Sequence, residues 1–276
     1  MNIAVISPCG KGEGNTSISG LIGLELSENR NKRVCLTHTS KRAEDIKECF
    51  KIRKSAEKGM EANKVVEMIK TGLVEDTEID NYCRSVNKKM DLFGAFDTDY
   101  EEDTLKYMLD NMHTKFDYEY IVYDMDNEDL YGEENKIVIN NADCVVINLT
   151  QSKSALRRFK KEIRKFMKFV GKLPVVVVIN KYCDLLGGVA EIQKELGIKD
   201  GKKWCTVRYN PWIGYGCNSG ELKDVYQEAL SGDYRLVELR DIQKVVEVIT
   251  RIKSVKRKLE MEEKIEKMNK SKDKVV

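Results

Sequence analysis

Gly10, Gly12 and Gly14 in GKGEGNTS, residues 10–17, lie between a short apolar run and the start of a helical pattern, a spacing suited to a loop that wraps phosphate. Main-chain N–H groups can curl around an anion only with left-handed dihedrals and close backbone approach, and glycine permits both. The helix that follows adds its positive N-terminal end. Such a loop usually continues with Lys and then Ser or Thr, the lysine neutralising the outer phosphates and the hydroxyl holding Mg²⁺. Here those places are taken by Asn15 and Thr16. The hydroxyl is kept, the cation is replaced by a neutral amide, and Lys11 is the nearest substitute. Gly10, Lys11, Gly12, Glu13, Gly14, Asn15, Thr16 and Ser17 are therefore the candidate phosphate-binding residues. Losing a lysine on phosphate removes a charge-assisted hydrogen bond of about 1.5–3 kcal/mol, or about tenfold or more in affinity. Transition-state charge suffers more, so these residues predict binding in preference to hydrolysis. A glycine turn that only starts a helix is the plainer alternative, and three glycines with a threonine at a helix N-terminus weigh against it.

What positions the loop is an alternation of strands and helices. Ile- and Val-rich runs predict strands at 2–7, 33–38, 119–124, 143–148, 173–180 and 203–208. Helical patterns fall at 15–28, 42–54, 60–71, 102–114, 134–141, 153–170, 187–196 and 220–229. The alternation implies a three-layer α/β fold, a mostly parallel sheet with helices on both faces. Residues 39–118 read as a helical insertion, a flap beside the ligand site, with KVVEMIKTGL and DTLKYMLDNM as its amphipathic segments. Asp103 reads as the N-cap of the second. Apolar spacing at Val245, Val248, Ile252, Val255 and Leu259 predicts a long C-terminal helix. The chain thus divides into a domain over 1–250 and a basic helical tail over 251–276 that frays.

A length of 276 residues suits one core, and three prolines leave little for a stiff linker. No apolar run approaches the roughly 20 residues of a membrane-spanning helix, and Leu173 to Ile179 reads as a buried strand. The first strand begins at Asn2, so no leader peptide is expected. Eight cysteines occur without a CxxC pair, which points to a reducing cytoplasm in place of a disulfide framework. With only His38 and His113 available, a structural metal is not expected.

Strand, glycine loop, first helix and the aspartate ending YIVYDMD together resemble the ParA/MinD family of deviant P-loop ATPases. The family signature KGGxGK[ST], laid on residues 10–16, is matched at Gly12, Gly14 and Thr16, with Gly10 at the signature lysine and Asn15 at the Walker lysine. In the family the early lysine reaches the partner's phosphates in a nucleotide-sandwich homodimer, and Lys11 is displaced from it by one place. Asp124 matches the Walker B aspartate and, with Thr16, would hold the Mg²⁺ shell. His38 stands where the family's second strand ends in a water-positioning aspartate; a histidine there is expected to carry charge beside phosphate and to orient water poorly. Asn180, ending VVVVIN, matches an asparagine that contacts the base, and Pro211 of RYNP lies near the adenine edge. NKYCD also approaches the NKxD guanine motif, but Cys183 stands where that motif needs Asp, so adenine is preferred. The implied cofactors are ATP or ADP with Mg²⁺.

The helical pattern at 153–170 carries a core stripe of Leu156, Phe159, Ile163, Phe166 and Val170. Its other face, within 157–168, holds Arg157, Arg158, Lys160, Lys161, Arg164, Lys165 and Lys168. The ordinary reading is a solvated face; the functional one is contact with DNA phosphates, anionic lipid or an acidic protein. ParA relatives hold DNA non-specifically through basic patches, which favours DNA. The tail resembles the membrane-targeting helix of MinD relatives, yet it mixes Glu with Lys and lacks Trp and Phe, so packing on protein is expected and membrane binding is not. The resemblance implies an ATP/ADP-dependent switch or partitioning and positioning factor, with at most weak ATPase activity. The alternative is a pseudo-ATPase scaffold that binds protein or DNA through its basic helices.

Overall fold

The structure is a computed structural model that describes residues 1–41, 44–51, 62–94, 100–198 and 203–256. Its strands are β1 (Asn2–Ile6), β2 (Val34–His38), β3 (Arg84–Ser85), β4 (Met90–Leu92), β5 (Tyr120–Asp124), β6 (Cys144–Leu149), β7 (Val175–Tyr182) and β8 (Lys203–Arg208). The helices are α1 (Asn15–Leu24), α2 (Glu44–Cys49), α3 (Ala62–Lys70), α4 (Glu102–Lys115), α5 (Glu133–Asn141), α6 (Lys153–Val170), α7 (Val189–Leu196), α8 (Pro211–Ser219), α9 (Leu222–Ser231) and α10 (242–256). One eight-stranded sheet runs β3-β4-β2-β5-β1-β6-β7-β8, parallel except where β3 meets β4.

Strand residues alternate between two cores, as a sheet covered on both faces requires. Ile3 and Val5 face the core that also holds α1, α2, α9 and α10, whereas Ala4 and Ile6 face the one built with α3 to α7. β1 lies between β5 and β6. The chain leaves it toward β2 on one side, returns through β5 and continues to β6 on the other. This reversal opens a crevice at the carboxyl ends of the central strands, the usual place for a ligand in such sheets. The glycine loop follows β1 directly into it.

All six expected strands form, and the sheet gains two more from the insertion. Residues 39–118 are not wholly helical: β4 pairs in parallel with β2, and β3 with β4. A three-residue strand is too short to reveal a period of two, and β4 is fixed by packing, since a Cβ on Gly23 of α1 would meet Met90 Cε at 2.8 Å. Asp103 is not an N-cap; Glu101 holds that position and Asp103 falls in the first turn of α4, where a carboxylate still favours the helix's positive end. α8 was not expected. Gly214 and Gly216 depress its helical pattern, yet Asn210 caps it by accepting from Trp212 N at 2.9 Å and Pro211 takes the first turn. The long final helix is present as α10. The tail from 257 lies outside the described residues. Among the described residues no helix is long and apolar enough to cross a membrane.

Candidate functional site

The loop after β1 has the backbone that its glycines predict. Gly10, Gly12 and Gly14 take φ of 101°, 83° and 76°, and Gly14 is the N-cap of α1. Its carbonyls are tied to side chains. Asn148 Nδ2 and Asn180 Nδ2 donate to Glu13 O at 3.1 and 2.9 Å, and Lys181 Nζ donates to Gly12 O at 2.7 Å. Arg158 of α6 reaches Cys9 O at 3.4 Å. Among the described residues, no protein group accepts from the main-chain N–H groups of Gly12, Gly14, Asn15 or Thr16. Carbonyls tied to side chains and main-chain amides left over at a helix N-terminus are what a bound anion would require.

At the floor of the site lies Asp124, which the β1–β5 register sets beside Val5. Asn15 Nδ2 donates to Asp124 Oδ1 at 2.7 Å and to Val5 O at 3.0 Å. Thr16 Oγ1 donates to Asp124 Oδ2 at 2.7 Å, and Ser19 Oγ to Oδ1 at 3.1 Å. The side chain at the Walker lysine position is thus turned onto the carboxylate, leaving its main-chain N–H to meet an anion. Mg²⁺ fits what remains. The Thr16 hydroxyl donates its hydrogen bond to Asp124, so its oxygen keeps lone pairs for a cation, and both residues line the same hollow. Thr16 and Asp124 would hold the ion, which when bound would offset phosphate charge. Among the described residues there is no group of three or more His, Cys, Asp or Glu side chains placed to hold a metal ion.

That hollow, about 510 Å³, opens beside the loop and is lined by Lys11, His38, Lys41, Asp126, Glu128 and Glu134 among others. Lys11 Nζ lies 2.5 Å from Glu128 Oε1, with both side chains largely exposed, so the pair contributes little to stability. His38 corrects an expectation. It is 2% exposed, burial lowers its pKa to about 4, and it is therefore neutral at pH 7. Its Nδ1 is 3.2 Å from Ser40 Oγ, and Nε2 is buried without a partner. Glu13 places a carboxylate in the loop, with Oε2 buried and lacking a donor. Burial, aided by Glu13, pushes the neighbouring Cys9 thiol up to about 12.

No protein-family model matches the chain, and no curated protein matches it in sequence. Solved structures do match in fold. A ParA family ATPase from Chlorobium tepidum TLS superposes with a TM-score of 0.66 at 14% identity, covering 88% of this chain and 96% of that one. A plasmid partition protein from Borrelia burgdorferi B31, bound to AMPPNP, gives 0.64 at 20% identity, covering 90% and 98%. The septum site-determining protein MinD from Pyrococcus horikoshii OT3, complexed with Mg-ADP, gives 0.64 at 14% identity, covering 91% and 98%. The fold is that of the ParA/MinD ATPases.

Within this ParA/MinD-like fold the structure brings residues 10–17, Asn180 and Asp124 together. Asn180 serves the loop: its amide donates to Glu13 O, its Oδ1 accepts from Lys181 N at 2.8 Å, and a Cβ on Gly14 would meet its Nδ2 at 2.8 Å. Pro211 starts α8, whose Cys217 Sγ lies 3.2 Å from Ser17 Oγ. Sequence reasoning missed Ser19, Asn148, Arg158 and Lys181 as partners of the site. Lys181 has φ of 51°, where β7 shifts register against β8 between Ile179 and Tyr182. Such a backbone costs an ordinary residue about 1–2 kcal/mol. On α6, Arg157, Lys161, Arg164 and Lys168 are exposed, Lys160 sits 3.8 Å from Glu195, and Lys165 lies 3.8 Å over the Tyr131 ring.

Proposed function

We propose that this chain binds ATP or ADP with Mg²⁺ at the glycine loop and works as a nucleotide-biased switch or positioning factor of the ParA/MinD type, hydrolysing slowly or not at all. The observation that carries the reading is the loop itself: three glycines at positive φ, with no protein acceptor on the main-chain N–H groups of Gly12, Gly14, Asn15 and Thr16, leading into Thr16 and its partner Asp124. In this reading Gly12, Gly14 and the Asn15 main chain receive phosphate, Thr16 and Asp124 manage Mg²⁺, and Lys11 supplies part of the missing charge. Asn180 and Pro211 flank the base. Weak hydrolysis follows from the Asn15 amide being held on Asp124 and from a neutral His38 at the end of β2. Structures of this fold hold AMPPNP in one case and Mg-ADP in another, which supports a nucleotide as the ligand.

A second reading is a pseudo-ATPase scaffold. The exposed basic face of α6 favours it, with non-specific DNA or an acidic protein as the partner and a cytoplasmic setting. Calorimetric titration with Mg-ATP, beside Thr16→Ala, separates the two. Saturable binding weakened in the variant supports the switch. Absence of heat and of any thermal shift at millimolar nucleotide supports the scaffold.

A further inference from the structure

Asn15 leaves the loop without an ammonium at its customary place, and two lysines stand near enough to compensate. Lys11 belongs to the loop, but its Nζ is 2.5 Å from Glu128 Oε1 on the side of the acidic hollow. Lys181 arrives from β7, with Nζ 2.7 Å from Gly12 O and Cε 3.7 Å from the place of a Cβ on Gly14. It is not there by default. Only Asn31 and Lys181 among the described non-glycine residues have positive φ, and asparagine adopts that conformation readily where lysine does not. The irregularity between Ile179 and Tyr182 is the kind that re-aims a side chain beside a site. Asn180 Oδ1 fixes the turned peptide by accepting from Lys181 N.

We propose that Lys181 is the working cation of this phosphate loop, replacing the lysine absent at position 15. The proposal rests on nucleotide binding at the loop. At the rim of the loop the ammonium is held by a neutral carbonyl, Gly12 O. A phosphate oxygen carries full charge and competes better for the same donor, because charge-assisted hydrogen bonds are the stronger kind. The strained backbone keeps the lysine poised on the loop.

The test is calorimetric titration of the full chain with Mg-ADP, comparing wild type with Lys181→Met, Lys181→Arg and Lys172→Met, the last on the exposed turn after α6. Lys181→Met keeps the stem and removes the charge. It is expected to weaken ADP by about tenfold and to make binding less salt-dependent. Lys181→Arg should recover most of the loss, and Lys172→Met should bind as wild type. Wild-type affinity in Lys181→Met would overturn the proposal. So would equal losses in the Met and Arg variants with an unchanged salt dependence, which would make Lys181 a pin for the loop. If wild type itself fails to bind ADP, the nucleotide reading falls and this one with it. If wild type binds and Lys181→Met binds equally, only Lys181 is released from its role.

Discussion

Asn15 Nδ2 lies 2.7 Å from Asp124 Oδ1, so the amide occupying the Walker lysine position is bound to the strand-end carboxylate and both are buried. Asn15→Ala takes one donor from that carboxylate and another from Val5 O. A buried acceptor left short costs about 1–3 kcal/mol. Chemical denaturation should register that loss against wild type; an unchanged midpoint would mean the pairing is not structural.

His38 makes stability depend on pH. Its folded pKa is about 4 against an ordinary value of 6.5. Between those values the unfolded chain binds the proton and the folded chain does not, so its contribution is fully present above pH 6.5 and is lost as pH falls toward 4. The shift amounts to about 3 kcal/mol. Unfolding free energies measured from pH 7 to 4 should fall more steeply for wild type than for His38→Gln, and parallel curves would contradict a buried neutral imidazole.

Gly14→Ala should damage the loop by two routes. At φ of 76° an L-residue is strained by about 1–2 kcal/mol, and its Cβ would meet Asn180 Nδ2 at 2.8 Å, forcing that amide off Glu13 O. Gly197→Ala, at φ of 67° and ψ of 22° with nothing within 4 Å, carries the strain alone. Both variants should melt lower, and only Gly14→Ala should lose nucleotide binding.

Glu13 brings negative charge into a cup for anions, with Oε2 buried and without a donor. Removing that charge in Glu13→Gln should tighten ADP by about three- to tenfold. Titration of the two proteins side by side checks it, and weaker binding in the variant would show that the carboxylate supports the loop.

The parallel core was legible because its strands are Ile- and Val-rich runs buried on both faces, and the cup because glycines recur at 10, 12 and 14. β4 was not, since MDL is too short for a period and is placed by Gly23 of α1. The use of Asn15 was hidden as well. Its partner is 109 residues away, and only the β1–β5 register brings them together. Lys181 stood in plain view after Asn180, but its direction comes from an irregularity between β7 and β8 that local sequence does not encode. The expected charge on His38 failed because depth of burial, a tertiary property, decides its protonation.

The central claim is that main-chain amides of the glycine loop hold a nucleotide's phosphates without a lysine at position 15. Its most direct test follows the backbone amide resonances of the isotope-labelled protein during titration with Mg-ADP. Saturable shifts of the Gly12, Gly14, Asn15 and Thr16 amides with a common affinity are expected. Unmoved resonances for those four residues at millimolar ADP would contradict it.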